Sequence, residues 1–227
     1  FGEDAKICLN GVIDRVDLCS LPGEKLIKII DYKSSDSQDL LLAKVYYGLQ
    51  MQLLTYLEAA KEMVEKEHEG KEAVPAAMLY YVIKEKNLDW KPESEEEYEK
   101  RVLDSMKCKG YVNEEPEIIG HLDKSVVNGG ELIPGQKSGV VPVAVDKKGL
   151  LKKNSGTLST KDFETLIAHT KEKMKECGKA ILDGKIEAIP YVYEDNDGCT
   201  YCPYGSVCGH ESKKDGVREM KKMSDDE

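Results

Sequence analysis

The stretch GVIDRVDLCSLPGEKLIKIIDYKSS, residues 11–35, decides the fold of this chain. It contains two runs of aliphatic and β-branched residues, and the turn-forming residues Leu21-Pro22-Gly23-Glu24 separate them. We therefore predict two strands, over residues 5–18 and 25–33, that form a hairpin. The way in which these two strands pair decides which of their polar side chains lie close together.

Polar residues interrupt both strands near the ends that lie far from the turn. Side chains alternate between the two faces of a strand, so Asp31 and Lys33 lie side by side on the face that also carries Ile27 and Ile29. If the hairpin pairs about its turn, Asp14 approaches Asp31 from the first strand. The hairpin thus predicts two carboxylates and an ammonium group in one place.

These groups suit metal-assisted hydrolysis. Asp14, Asp31 and the backbone carbonyl of Tyr32 offer the hard oxygen ligands that Mg²⁺ or Mn²⁺ prefers. Lys33 beside them is placed to orient a water and to stabilise negative charge on a phosphorus centre. Taken alone, an Asp-x-Lys pair at a strand end is common, and an exposed ion pair is worth less than ~1 kcal/mol.

The rest of the chain alternates helical and extended patterns. Periodicity predicts a helix at 40–66, a buried strand at 76–84, an acidic helix at 91–107, an irregular segment at 110–156 with short strands near 140–145, a helix from Ser159 or Thr160 to Leu182 that stops at Gly184, and a frayed charged tail. This order predicts an α/β fold with helices packed on a mixed central sheet. We divide the chain into residues 1–90 (core with the catalytic motifs), 91–156 (insertion), 157–190 (C-terminal helix of the core) and 191–227 (cysteine segment and tail).

Gln52 and Tyr56 strengthen the catalytic interpretation. They lie four residues apart on the predicted helix, in the otherwise apolar run YYGLQMQLLTYL, and therefore share one helix face. Taken singly, a Gln with a Tyr one turn later is more often structural. In company with Asp14, Asp31 and Lys33, the pair indicates a polar site.

The combination of GVIDRVD, IIDYKSS and QLLTY resembles the PD-(D/E)xK nuclease superfamily, in the branch shared by RecB-like exonucleases. The resemblance implies a restriction-endonuclease-like core, with Asp14 as a metal-binding aspartate, Asp31 and Lys33 as the D-x-K motif, and Gln52 and Tyr56 as the Q-x-x-x-Y motif. It also implies a His or Glu ligand on an upstream helix. We expect that ligand to lie outside these residues, because the chain begins at Phe1 as part of a longer protein.

Seven cysteines without a secretory signal argue against a disulfide scaffold. Three of them, Cys199, Cys202 and Cys208, have the spacing C-x₂-C-x₅-C, which indicates metal ligation. Zinc and an iron–sulfur cluster both fit three thiolates. His210 is a candidate fourth zinc ligand, although an exposed tail residue is its default interpretation.

This cysteine motif at the end of a RecB-like domain resembles the AddB subunit of AddAB-type ATP-dependent helicase-nucleases. That resemblance implies a [4Fe–4S] cluster whose fourth cysteine lies outside this chain. It further implies a heterodimer with the AddA helicase-nuclease subunit, degradation of the 5′-ended strand of unwound DNA, and a part in double-strand-break processing for recombinational repair in the bacterial cytoplasm.

Composition sets limits on these interpretations. The 33 basic and 43 acidic residues give a net charge of −10, which by itself argues against a nucleic-acid binder. No apolar run is long enough to span a bilayer, so we expect a soluble intracellular protein. Three alternatives stay open: a catalytically inactive nuclease fold that binds DNA or acts as a scaffold, a stand-alone CRISPR-adaptation-type iron–sulfur exonuclease, and a zinc-binding interaction domain.

Overall fold

The structure, a computed structural model, describes residues 6–34, 39–68, 70–83, 94–193, 196–200, 202–211 and 215–221. In chain order its elements are β1 (Arg15–Ser20), β2 (Glu24–Lys33), α1 (Leu42–Tyr46), α2 (Gln52–Glu67), β3 (Glu72–Val82), α3 (Glu95–Ser105), β4 (Lys109–Asn113), α4 (Pro116–Leu122), β5 (Val127–Asn128), β6 (Glu131–Leu132), β7 (Thr157–Leu158), α5 (Thr160–Leu182), β8 (Tyr191–Tyr193), β9 (Asn196–Asp197), α6 (Gly205–Cys208) and β10 (Arg218–Glu219). The predicted strand and helix ends at residues 5, 84 and 91–93 lie outside the described residues.

A mixed five-stranded sheet, in the order β1-β2-β3-β4-β7, forms the centre of the fold. The β1/β2 and β3/β4 pairs are antiparallel, whereas β2/β3 and β4/β7 are parallel. Parallel neighbours need a long crossover, and the segment with α1 and α2 supplies it between β2 and β3. The predicted α/β class with a mixed sheet and flanking helices is confirmed.

Helices α2 and α5 cover one face of the sheet. The cluster on this face is fully apolar at its centre and includes Ile27, Ile29, Leu53, Leu57 and Phe163. Ion pairs of Lys61 with Glu164 and of Lys171 with Glu58 join the two helices at their rim. Helix α4 and residues 126–143 cover the opposite face, around Ile30, Leu79, Val112, Ile119 and Val143.

The two strands pair as a hairpin as predicted, but the first one begins at Arg15, since residues 6–14 form no strand. The helix predicted at 40–66 is broken. Residues 47–51 separate α1 from α2, because Gly48 adopts a left-handed conformation with φ 77°. The Gln50 side chain stabilises the break by accepting from the Leu41 backbone N–H and donating to the Asp39 carbonyl. The break makes Gln52 the first residue of α2.

The irregular segment predicted at 110–156 contains a strand of the central sheet. Strand β4 pairs with β3, from Ala77↔Val112 to Tyr80↔Lys109. Gly110 has φ 125° there, and a Cβ at this position would lie 2.3 Å from the Met78 carbonyl oxygen. A glycine at this close approach lowers the strand signal, which explains why periodicity missed β4.

Helix α5 and the C-terminal segment complete the chain. Ser159 caps α5 in a capping box with Asp162, and Gly184 at φ 66° follows the helix, as predicted. Within residues 215–221, the tail predicted to fray contributes β10, which pairs with β8, and Met220 is buried. Residues 212–214 and 222–227 of the predicted tail lie outside the described residues. No helix in the described part of the chain is long and apolar enough to cross a bilayer.

We predict that Gly110→Ala destabilises the fold. The added methyl group clashes with the Met78 carbonyl oxygen, and alanine must adopt a φ angle that L-residues avoid. The strain alone should lower the free energy of unfolding by about 1–3 kcal/mol, measured by urea denaturation. Gly139→Ala is the matched control, because a Cβ there has no heavy atom within 4 Å. Equal stability of the two variants would contradict the assigned path of β4.

Candidate active site

The hairpin register brings the two predicted carboxylates together. Arg15 pairs with Ile30, so the next position along the ladder places Asp14 opposite Asp31. Residues directly opposite each other share a face of the sheet. The Asp14 Oδ2 atom also accepts a hydrogen bond of 2.9 Å from the Tyr32 backbone N–H, which fixes this carboxylate against the end of β2.

Tyr32 presents its backbone to the same place. Because the N–H and C=O of one strand residue point to the same side, the Tyr32 carbonyl also faces the β1 side, where Asp14 lies. The neighbouring Lys33 carbonyl points the other way and accepts from the Ile83 N–H beyond β3. The predicted third oxygen ligand is therefore available near the two carboxylates.

Asp31 is buried, with 3% of its surface exposed. Its Oδ2 atom forms an ion pair of 2.5 Å with Lys33 Nζ, and no other described group donates to it. A buried carboxylate requires opposite charge close to it, which a cation can supply. The donor set of Asp14, Asp31 and the Tyr32 carbonyl therefore fits a hard divalent metal ion.

A chain of side-chain hydrogen bonds holds Lys33 over the site. Lys33 Nζ donates to Gln52 Oε1 at 3.0 Å, and Gln52 Nε2 donates to the Tyr56 hydroxyl at 2.9 Å. The helix break described above places Gln52 at the start of α2, within reach of the end of β2. All five side chains singled out from the sequence thus belong to one site: Asp14, Asp31, Lys33, Gln52 and Tyr56.

Tyr80 is a site residue that sequence reasoning missed. It pairs with Asp31 across the β2/β3 ladder, and Lys33 Nζ lies 5.2 Å from the centre of its ring. Burial, and next the negative charge of Asp31, raises the pKa of Tyr80 to about 12. The phenol stays protonated near neutral pH and therefore does not serve as a base. Its position inside the apolar run AAMLYYVIK carried no signal that could distinguish it from a core residue.

The cysteine motif is only loosely organised. Cys199 is half-buried, Cys202 and Cys208 are exposed, and the Cys202 N–H donates to the Cys199 carbonyl at 3.1 Å. Among the described residues, no group of three or more His, Cys, Asp or Glu side chains is close enough to hold a metal ion. The three thiolates have the right chemistry for a soft metal centre, but this arrangement does not gather them. His210 lies 3.7 Å from Asp215, and its Nε2 atom is buried without a hydrogen-bond partner.

Comparison with known proteins agrees with the site geometry. A family model described as the PD-(D/E)XK nuclease superfamily matches residues 1–209. Similar curated proteins are named as the B-type subunit of an ATP-dependent helicase/deoxyribonuclease, the AddB subunit. The proteins from Lachnoclostridium phytofermentans and Caldanaerobacter subterraneus are 36% and 38% identical over 99% and 95% of this chain. The protein from Clostridioides difficile is 32% identical over 98% of it.

These relatives are much longer than the chain described here. The chain spans only 18–19% of their length. Their similarity therefore concerns one part of each protein.

We predict that Asp31→Asn lowers the pKa of Tyr80, because the carboxylate charge opposes ionisation of the phenol. The pKa should stay above the ordinary value of about 10, since burial remains. Titration of ¹³Cζ-labelled tyrosine by NMR measures this shift. Asp17→Asn, which removes a carboxylate elsewhere on the same hairpin, should leave the Tyr80 pKa unchanged, and an equal response to both substitutions would show that Asp31 is not the charge next to Tyr80.

Proposed function

Since this chain belongs to the PD-(D/E)XK nuclease superfamily, we propose that it is a Mg²⁺- or Mn²⁺-dependent deoxyribonuclease domain that hydrolyses phosphodiester bonds in single-stranded DNA. The observation that carries the proposal is the convergence at one sheet edge of Asp14, the buried Asp31 and the Lys33 ammonium group. The buried carboxylate of Asp31 also favours positive charge nearby, which the reaction needs.

The metal ion supplies positive charge that neutralises the phosphate and polarises nearby water. Asp14, Asp31 and the Tyr32 carbonyl would hold it. Lys33 orients the attacking water and stabilises the negative charge that develops on the phosphoryl oxygens. The water oxygen forms a bond to phosphorus and releases a proton to the solvent, while the bond from phosphorus to the leaving oxygen breaks and that oxygen takes up a proton from the solvent.

Gln52 and Tyr56 act as positioning residues in this scheme. A flexible lysine loses much of its catalytic value unless its ammonium group is fixed, because small misplacements of a reacting group are costly. The amide oxygen of Gln52 fixes Lys33, and Tyr56 in turn fixes the amide. A catalytically inactive scaffold would gain nothing from this connected chain, which favours the enzyme.

The names of the relatives suggest the wider setting. We propose that the chain is the nuclease part of an AddB subunit, that it pairs with an AddA helicase-nuclease subunit as a heterodimer, and that the motor delivers unwound DNA in the bacterial cytoplasm. Degradation of the 5′-ended strand during double-strand-break processing for recombinational repair is part of the same proposal. The printed names of the relatives, which combine helicase and deoxyribonuclease, support the pairing of a nuclease with a helicase.

We also propose that Cys199, Cys202 and Cys208 supply three thiolate ligands of a [4Fe–4S] cluster. Their C-x₂-C-x₅-C spacing and soft-ligand chemistry support the assignment. A fourth cysteine from another part of the longer protein would complete the cluster, which would tie the ends of the nuclease domain together.

We predict that Asp31→Asn and Lys33→Ala each reduce degradation of single-stranded DNA by at least about 100-fold, because each removes a group that the transition state needs. The assay uses 5′- and 3′-labelled DNA with the full-length subunit assembled with its helicase partner, in Mg²⁺ and in Mn²⁺. Asp17→Asn is the control, since this partly exposed carboxylate pairs with Arg15 and Lys28 outside the site.

The two variants should differ in metal binding. Asp31→Asn weakens Mn²⁺ binding measured by electron paramagnetic resonance, whereas Lys33→Ala does not, because lysine is not a ligand. Wild-type DNA degradation by either variant would contradict the catalytic assignment. Unchanged Mn²⁺ affinity in Asp31→Asn would remove Asp31 from the ligand set.

We predict that the anaerobically purified full-length subunit contains about four iron and four sulfide ions, and that Cys202→Ser causes their loss. Cys177→Ser is the control, since this exposed cysteine on α5 lies outside the motif. Iron, sulfide and zinc analysis provides the measurement. Stoichiometric zinc in place of iron would contradict the cluster.

A further inference from the structure

A cavity of about 520 Å³ lies between the start of β4 and residues 136–156. Four lysines line it, and we call it the lysine cavity: Lys107, Lys109, Lys137 and Lys153. The other lining residues are Asp39, Leu40, Asp104, Ser105, Cys108, Gly110, Tyr111 and residues 142–144 and 154–156. None of these lysines belongs to the candidate active site described above.

The lysine cavity adjoins the active site along one edge of the sheet. Asp31 pairs with Tyr80 on β3, and Tyr80 pairs with Lys109 on β4. Paired residues share a face, so Lys109 lies on the same face as Asp31, two strand spacings or about 10 Å away. Asp39, in the segment that joins β2 to α1, forms an ion pair of 2.7 Å with Lys109.

The charge of the lysine cavity is opposite to that of the whole chain. Four lysines against two aspartates leave an excess of two positive charges, although the chain carries a net charge of −10. At the other end of β2, a second cavity is lined by four glutamates: Glu24, Glu72, Glu115 and Glu117. Glu24 precedes Asp31 by seven residues, roughly 23 Å along the strand. The lysine cavity therefore attracts an anion, whereas the cavity lined by glutamates at the opposite end of β2 repels it.

Lys109 and Lys137 each form an ion pair with an aspartate, whereas a neutral group anchors Lys107. Lys107 Nζ donates to the Ser138 carbonyl at 2.8 Å, which anchors the group without an opposite charge. Burial, and next the positive charge of Lys137, lowers the pKa of Lys107. Lys137 lies 3.6 Å from Asp104 in an exposed ion pair, and Lys153 forms no ion pair within the described residues. A bound anion would relieve this repulsion between lysines.

We propose that the lysine cavity binds backbone phosphates of the single DNA strand as it passes to or from the active site. This inference rests on the proposed nuclease function and adds to it a second contact surface for the same strand. Among the described residues that line the cavity, Tyr111 is the one aromatic residue, and its side chain is buried. The cavity therefore offers lysines for phosphates and no exposed described ring on which a base could stack, as a nuclease that acts along a strand requires.

Lysine footprinting tests the proposal directly. The full-length subunit in its complex is acetylated with an N-hydroxysuccinimide ester in EDTA, with and without a 20-nucleotide oligo-dT, and each lysine is quantified by mass spectrometry. We expect DNA to protect Lys137 and Lys153 and to leave Lys147 and Lys148 unprotected. These four lysines belong to the same segment, and Lys147 and Lys148 are exposed and do not line the cavity.

Two outcomes of the footprint would overturn the proposal. In the first, DNA leaves Lys137 and Lys153 as reactive as Lys147 and Lys148. In the second, inorganic phosphate at the same phosphate concentration protects the cavity as well as the oligonucleotide does, which would make it a site for free anions and not for a strand.

Salt dependence provides a second measurement. For oligo-dT, the logarithm of the binding constant falls linearly with the logarithm of the salt concentration. The slope of this line should be less steep by about 1.4 in the double variant Lys137→Ala/Lys153→Ala, since each phosphate contact contributes about 0.7 on single strands. The control Lys147→Ala/Lys148→Ala removes two charges from the same segment and should keep the wild-type slope. An unchanged slope in the cavity variant would refute the proposal.

Different results would contradict the catalytic assignment and the DNA-binding role of the lysine cavity. If Asp31→Asn degraded DNA normally while DNA still protected the lysine cavity, the catalytic assignment would be wrong and the binding surface would stand. If Asp31→Asn abolished degradation while the cavity variant kept its salt slope, only the binding surface would be wrong.

Discussion

The antiparallel register of β1 and β2 is the constraint on which the site depends. A shift by one residue would turn Asp14 to the other face of the sheet and leave Asp31 without a second carboxylate. Two features fix the register: the tight turn closed by hydrogen bonds between Leu21 and Glu24, and the burial of the Ile27 and Ile29 face under α2 and α5. The register that buries Ile27 and Ile29 in the core therefore also brings Asp14 and Asp31 together.

Asp31 shows what this arrangement costs. Its carboxylate is almost fully buried, and Lys33 is the one described cation that approaches it. Removing the partner of a buried ion pair typically destabilises a protein by roughly 3–5 kcal/mol, because the remaining charge is uncompensated. Loss of the Lys33 charge therefore affects stability as well as chemistry.

Much of the fold and most of the site could be predicted from sequence because both depend on local patterns. The hairpin follows from its turn residues and alternation, and α5 follows from the Ser159 cap. The sequence patterns did not reveal β4, because glycine is depleted in strands and the role of Gly110 depends on its contact with β3. Nor did they reveal the break at Gly48, since a glycine inside a helical pattern is compatible with both outcomes. Tyr80 was missed because a continuous apolar strand does not show which residues face the site.

Net charge describes the far field of a protein and not the surface that a strand touches, so the acidic composition alone is a poor guide to the substrate. At distances beyond about 8–10 Å, physiological salt screens exposed charges, so a glutamate cluster some 23 Å from Asp31 has little influence on a phosphate at the active site. The charges within that range decide local binding. Lys109 lies at about that distance from Asp31, while many of the acidic residues lie on helices such as α3. A chain with a net charge of −10 can therefore present a positive path to a polyanion. The position of each charge along the sheet, which only the strand register reveals, determines the sign of that path.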